Sequence, residues 1–458
     1  MKKRFFLPLL IVLLLLTAAL FPRQRLDPPR FISSTCPPPP SSPETNGFQG
    51  DGSLSTHLPI LILHTQGVQI PGSVRTDLSS LSCAYSIIDN LNGVNHSGDA
   101  PTQKGRTQIS IRGNSSRYFP KPQYLMKTVD QAGLPEDVPM MGMPAESSWV
   151  LNGSYIDYSM IRNYMGYTLS GQLLHFTPRC RLCEVFTSDA NGALQYQGVY
   201  TVIEKIKVSE HRVALEKADA SHAETSFLVQ INSHLGSTAI PHLKPDGHAA
   251  FPFSLEYPSP ELLSQNSLHY IRQQLLLFEK ALYDAPFSGD WSGVNDYIDM
   301  DSFVDYYLIN EFFQNLDAGS RSTFLYQNMG GKISIGPVWD FDGSLSNQNF
   351  TDADVTVDYH RMDSTFFYHF LFQNPEFTTR CYARYLELRR GVLSEKILLA
   401  FIDSCQTYLE GPAQRNCQRW YNGDASLWQQ DLNSIRTFIH ERGKWMDENF
   451  HLLCNITK

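Results

Sequence analysis

Apolar residues recur with three different spacings along the 458-residue chain, and each spacing marks a different kind of segment. Phe5 to Phe21 is a 17-residue, almost purely apolar tract behind Lys2, Lys3 and Arg4, broken only by Pro8 and Thr17. A basic start followed by such a tract is the pattern of an export signal. A spanning helix needs about 20 apolar residues, and Thr17-Ala18-Ala19 offers small side chains for cleavage. Residues 1–21 therefore read as a cleaved signal, with an uncleaved N-terminal membrane anchor as the alternative. Residues 22–55 hold Pro28, Pro29, Pro37 to Pro40 and Pro43 among Ser and Gly, a composition that favours extended backbone and predicts a stalk.

From His57 the spacing tightens. Leu58-Pro-Ile-Leu-Ile-Leu-His64 suits a buried strand and opens the folded region. Gln108 to Arg112 alternates polar and apolar, and Gly198 to Ile206 is rich in β-branched and aromatic residues, so both predict sheet. Between them Asp157 is placed to cap a helix in which Ile161, Met165, Leu169 and Leu173 recur every four residues. Beyond residue 260 the period becomes helical at Leu262–Tyr283, after the cap Asp301-Ser302, and near 363–374, 381–388 and 393–410. One interruption, Thr323 to Tyr326 and Lys332 to Ile335 around Asn328-Met-Gly-Gly331, predicts a hairpin. Strand-rich residues 56–235 followed by helix-rich residues 236–390, with a helical extension over 391–458, predict an α+β fold.

Composition narrows the function. A formal net charge of −9 argues against a nucleic-acid partner, and 42% hydrophobic residues exclude wholesale disorder. Eight cysteines behind an export signal are expected to pair as disulfides, four of them (Cys381, Cys405, Cys417 and Cys454) bracing the C-terminal extension. Cys180-Arg-Leu-Cys183 also has the spacing of half a zinc site or of a redox pair. Sequons begin at Asn95, Asn114, Asn152, Asn349 and Asn455. Neither a Walker GxxxxGK[ST], a GxGxxG loop nor an HExxH occurs, so neither a P-loop NTPase nor a zinc peptidase is supported.

The predicted hairpin concentrates the chemistry. Pairing around residues 329–330 sets positions whose numbers sum to about 659 opposite one another, so Asp317 falls across from Asp340 to Asp342. Converging carboxylates suit a hard divalent cation such as Mg²⁺ or Mn²⁺, which prefers oxygen ligands and is commonly shared with substrate phosphates. The plain alternative is a set of surface turn aspartates. Acid–base cleavage of a glycosidic bond by Asp340 and Asp342 is disfavoured, because residues two apart on one loop bracket a sugar bond poorly.

Four ordered segments give the chain a family resemblance: Ile111-Arg-Gly-Asn-Ser-Ser116 with Pro120-Lys121 and Tyr124-Leu-Met-Lys127; Trp149-Val-Leu-Asn152 with Asp157 to Asn163; Gly198-Val-Tyr-Thr-Val-Ile-Glu204; and Asn310 to Asp317 with Tyr326 and Pro337-Val-Trp-Asp-Phe-Asp342. Together they resemble the spore coat protein CotH family of atypical, secreted protein kinases. The resemblance implies a kinase-like bilobal fold, a sheet-rich N-lobe (about 56–235) over a helical C-lobe (about 236–390). It also implies ATP and Mg²⁺ or Mn²⁺ as cofactors, and Ser or Thr of an exported or surface protein as acceptor. On this analogy Asp317 is the catalytic aspartate, while Asp340 and Asp342 hold the metal. Arg112, Asn114, Ser115, Lys121 and Lys127 are expected at the phosphates, with Glu204 paired to one of the lysines. Read without the analogy, Lys127 and Glu204 are solvated strand charges, and Asp157 and Arg162 a helix cap and an architectural ion pair. Ser322 stands where related sequences carry Asn after the catalytic aspartate, which leaves an inactive, structural or adhesive surface protein as the second reading.

Overall fold

The computed structural model describes residues 47–455, apart from 51, 73–78, 92, 233–237, 244–250, 351–355, 361, 363, 364 and 366. The expected signal, most of the stalk and Cys36 lie outside the described residues. Strand β1 (Gly47–Phe48) falls within the stretch read as stalk and β2 (Leu54–Thr56) begins in it; the two pair, and β2 also pairs with β5 (Asn95–His96).

Seven strands close into a barrel: β3 (Ile60–His64), β4 (Leu81–Ile88), β6 (Gln103–Arg112), β7 (Gln123–Val129), β10 (Ser148–Asn152), β11 (Cys180–Ser188) and β12 (Leu194–Glu204). Their order is β10-β12-β11-β3-β4-β6-β7, antiparallel throughout except for the parallel pair β3 and β11. Side chains two apart point the same way along a strand. Leu61 and Leu63, Tyr85 and Ile87, Trp149 and Leu151, and Tyr200 and Val202 accordingly fill the barrel interior. A short ribbon, β8 (Val138–Met140) with β9 (Met143–Glu146), packs Met140 and Met143 into the same cluster.

Val150, Leu182 and Ile203 take the other parity and pack with the helices in a second, larger core. At its centre lies α1 (Arg162–Ser170), every residue of which is buried. The sequence expects this helix to begin near Asp157. It begins five residues later, with the Asp157 carboxylate accepting from the Arg162 backbone N–H at 3.0 Å.

A separate five-stranded sheet runs β14-β15-β13-β16-β17, from β13 (Phe227–Ile231), β14 (Ala239–Ile240), β15 (Phe253–Tyr257), β16 (Thr323–Gln327) and β17 (Ile333–Ile335). The expected hairpin is β16–β17, with Leu325 opposite Ile335 and Gln327 opposite Ile333. Helices α2 (Gln265–Ser288), α3 (Ser292–Tyr297), α4 (Met300–Phe312), α5 (Tyr368–Leu371) and α6 (Pro375–Arg390) surround that sheet. Two long helices, α7 (Glu395–Trp420) and α8 (Ser426–Leu453), complete the α+β fold. Among the described residues no helix is long and apolar enough to cross a membrane.

The expected disulfide bracing is not seen among the described residues. No disulfide joins the described cysteines, and Cys381, Cys405, Cys417 and Cys454 lie buried in the apolar core that α6, α7 and α8 share. Burial pushes the Cys417 thiol up to about 11 and the Cys454 thiol up to about 12, so these two side chains behave as small hydrophobes. The Cys180–Cys183 spacing falls on one strand, where residues three apart face opposite sides. Cys180 joins the helical core and Cys183 the barrel interior, which rules out a shared metal or a bond between them.

Candidate active site

Two segments of different origin meet behind β16–β17. Residues 313–317 follow the end of α4, and residues 338–345 follow β17. Backbone hydrogen bonds stitch them together: Leu345 N–H donates to Phe313 O at 2.8 Å, and Leu316 N–H to Gly343 O at 3.4 Å. Half-buried Asp317 thereby comes close enough to Asp340 for its charge to hinder ionisation there.

Helix α1 shapes the second segment. The Tyr167 hydroxyl accepts from the Asp340 backbone N–H at 3.2 Å, and the Asn163 side-chain oxygen accepts from Phe341 N–H at 2.9 Å. Asn163 Nδ2 donates to Asp342 Oδ1 at 2.6 Å, and Asn152 Nδ2 to Oδ2 at 3.4 Å. Gly166 lets the ring of Phe341 lie against the helix, since a Cβ there would stand 2.3 Å from the ring. Asp340 has φ +64°, a left-handed conformation that a non-glycine residue holds only when its surroundings impose it.

The carboxylates are costly to ionise as they stand. Burial and the neighbouring Asp317 charge raise Asp340 to about 6, against the opposing pull of Arg112 and of hydrogen bonds with Asp342. Burial and the Asp340 charge push Asp342 well above the usual carboxylate range. Two acids held side by side with little access to water invite a cation. Among the described residues no three His, Cys, Asp or Glu side chains close on one point. Asp340 and Asp342 nevertheless fit Mg²⁺ or Mn²⁺, because such ions are typically held by one or two carboxylates and completed by water and phosphate oxygens.

The cationic side of the site differs from the expected one. Arg112, at the end of β6, interacts electrostatically with Asp340 and Asp342, and its guanidinium carbon lies 5.8 Å from the Trp339 ring centroid. Asn114 and Ser115 are exposed in the turn that follows, where Gly113 takes φ +108°. Lys121 is elsewhere: fully buried, it donates to Val199 O at 2.5 Å and to Asn416 Oδ1 on α7 at 2.7 Å, and lies over the Tyr200 ring. Its burial lowers the ammonium pKa to about 7. Glu204 pairs with Arg179 and Arg212 rather than with a lysine. Lys127 is exposed on β7, where it interacts electrostatically with Lys205.

Lys205 is a cation near Arg112 that sequence reasoning passed over. It follows Glu204 directly, is half-buried, and burial together with the Arg112 and Lys127 charges depresses its pKa while Glu256 supports it. It shares a recess with Pro337, three residues before Asp340. Asn152 and Asn163 were missed as well, although both stand in the segments that carry the family resemblance; only the fold reveals that their amides meet on Asp342.

The family comparison bears directly on this arrangement. A family model described as CotH kinase protein matches residues 109–446, which takes in the end of β6, α1, the acidic segments and most of α8. The chain belongs to the CotH kinase family. No curated protein matches it. The matched region runs past residue 390, where the sequence expects the kinase-like part to give way to an extension, so α7 and most of α8 fall inside it.

Proposed function

We propose that the protein is an exported atypical kinase that transfers the γ-phosphoryl of ATP to a Ser or Thr hydroxyl of a secreted or surface protein. The observation that carries this reading is the pair of half-buried Asp340 and buried Asp342, held beside Asp317 and faced by Arg112. On this reading the barrel is the N-lobe, the helices are the C-lobe, and the nucleotide lies between them. Phosphoryl transfer asks little covalent chemistry of a protein and depends on alignment and charge neutralisation. Asp340 and Asp342 would hold the Mg²⁺ or Mn²⁺, which supplies charge neutralisation at the phosphate oxygens. Arg112 and Lys205 hold the same oxygens from the barrel side, with the Asn114-Ser115 turn beside them. Asp317 orients the acceptor hydroxyl and takes its proton as the new O–P bond forms; the bond from the γ-phosphorus to the bridging oxygen breaks and ADP departs. Asn152 and Asn163 hold Asp342 in place.

Incubation of the protein with γ-labelled ATP, Mn²⁺ or Mg²⁺ and a generic acceptor protein tests this, alongside Asp317→Ala and Asp340→Ala. Label transferred by the wild type and lost in both variants is the expected result. Ser322, where an Asn would complete the metal shell, favours the second reading of an inactive structural or adhesive protein. Absence of both transfer and metal–nucleotide binding by the wild type would decide for it.

A further inference from the structure

Helix α8 carries two buried charged residues that are absent from the site and yet hold both of its halves. Asp431 receives the Arg162 guanidinium as a fork, with Nη2 donating to Oδ1 at 2.7 Å and Nη1 to Oδ2 at 2.6 Å. Asp431 Oδ2 also accepts from Ser159 N–H at 2.8 Å. The rest of the same guanidinium reaches the acidic segment just beyond Asp342: Nε donates to Ser344 O at 2.9 Å and Nη2 to Leu345 O at 3.2 Å. Nη1 additionally meets Asp157 at 2.6 Å. Arg162 is thus a plate between α8 and the backbone that carries Asp340 and Asp342.

Farther along α8, Arg442 does the same for the other half. Its Nη2 donates to Glu311 Oε1 at 2.6 Å and to Glu311 O at 2.9 Å, on the last turn of α4 before the chain runs to Asp317. Nη1 donates to Val357 O and Tyr359 O, each at 2.7 Å, and Glu311 Oε2 accepts from Met362 N–H at 2.7 Å. Eleven residues at about 100° each make about three turns and 20°, so Asp431 and Arg442 lie on one face of α8, about 16 Å apart along its axis. Both are buried, and both lie within the family-matched region.

We propose that Asp431 and Arg442 are positioning residues: α8 fixes the Asp317 segment and the Asp340–Asp342 segment relative to one another through Glu311 and Arg162. The geometric claim stands alone, whereas its consequence for turnover rests on the kinase reading. Amide hydrogen exchange on the full chain separates the two. In Asp431→Asn, amides of residues 341–347 are expected to exchange about tenfold faster or more, because their local opening loses the Arg162 anchor. The matched control is Glu184→Gln, which breaks another buried carboxylate–guanidinium fork, Glu184 with Arg415 on α7, without touching the acidic segments. That control is expected to leave 341–347 within about twofold of wild type.

Arg442→Gln should loosen residues 313–318 in the same way, and Asp431→Glu, which keeps the charge, should restore most of the protection. Equal exchange in all variants, or equal acceleration in the control, overturns the proposal. If Asp431→Asn does not fold, Asp431→Glu and Arg442→Gln decide by the same measurement. Where the wild type transfers phosphate, Asp431→Asn should lower kcat by about tenfold to a hundredfold with the KM for ATP within about twofold, since misalignment of reacting groups is felt mainly in turnover. If the wild type transfers none, the kinase reading fails by itself and the exchange pattern still decides on the brace.

Discussion

Replacing Asp340 by Asn isolates the electrostatic cost of the acidic pair. Asn is among the residues that best tolerate the left-handed backbone found at this position, φ +64°, so the change removes charge with little local strain. In the folded protein the Asp340 carboxyl is raised from 3.8 to about 6. Each pH unit of displacement is worth about 1.4 kcal/mol, so an ionised Asp340 lowers the stability of the metal-free fold by about 3 kcal/mol at pH 7. Because the folded value lies above the unfolded one, this penalty is absent below about pH 4, grows as the pH rises towards 6, and is complete above it. With an unfolding entropy of about 2.1 cal/mol/K per residue over roughly 400 residues, 3 kcal/mol corresponds to a rise in Tm of about 3–4 °C. Asp340→Asn should therefore melt with the wild type at pH 4 and about 3–4 °C above it at pH 7.5, both without divalent metal. Adding Mn²⁺ and ATP should raise the wild type and leave the variant nearly unmoved, since ligand stabilisation follows affinity for the folded state. A scanning calorimeter or dye-based melt reads both effects. A gain that does not change with pH, a loss at pH 7.5, or a full Mn²⁺ response in the variant would refute the reasoning.

Other substitutions divide the site from its surroundings. Lys205→Ala should raise the KM for ATP by about tenfold, the scale of one charge-assisted phosphate contact, while Lys127→Ala leaves it within about twofold; a titration of initial rates against ATP distinguishes them. Lys121→Met should leave the metal–nucleotide melting shift intact, because the ammonium is spent on Val199 and Asn416. Its depressed pKa of about 7 means the wild type gains stability relative to that variant as the pH rises from 7 towards 10, which a pH series of melts would show. Gly166→Ala drives a methyl into the Phe341 ring and should cost about 1–3 kcal/mol while blunting the Mn²⁺ response, measured by urea unfolding with and without metal. Truncation after Arg390 leaves Arg162, Glu184 and Glu311 without their partners on α7 and α8; removing one member of a buried pair costs about 3–5 kcal/mol, so the shortened chain is expected to be unfolded by circular dichroism.

Short-range signals were readable from the sequence alone. Alternation and turn chemistry place the β16–β17 hairpin, whose partners sum to 660, and this pairing by itself puts Asp317 and Asp340 at the same end of it. The four-residue period located α1, though not its first turn, because Asp157 reaches forward into a buried network instead of capping directly. What stayed illegible depends on partners far away in the chain. Lys121 beside a proline and a glycine-containing turn looks like a phosphate ligand, and only Asn416, 295 residues later, absorbs it. Glu204 resembles a partner for lysine until the fold places Arg179 and Arg212 around it. The CxxC spacing suggested a common site because sequence distance ignores the two faces of a strand.

The position of Asp431 also sets an order of events during synthesis. It pairs with Arg162 across 269 residues of chain. At a ribosomal rate of about 5–20 residues per second, Arg162 waits about 13–54 s for that partner to be made. Until then the barrel can close, since its strands all precede residue 205, and α1 can meet the Asp340–Asp342 segment, but neither acidic segment has its support from α8. The nascent protein therefore passes through a stage in which its sheet half is formed and its reactive centre is not. A ribosome stalled between Arg390 and Asp431 would hold it there, with Arg162 buried against a single carboxylate and open to capture by a chaperone.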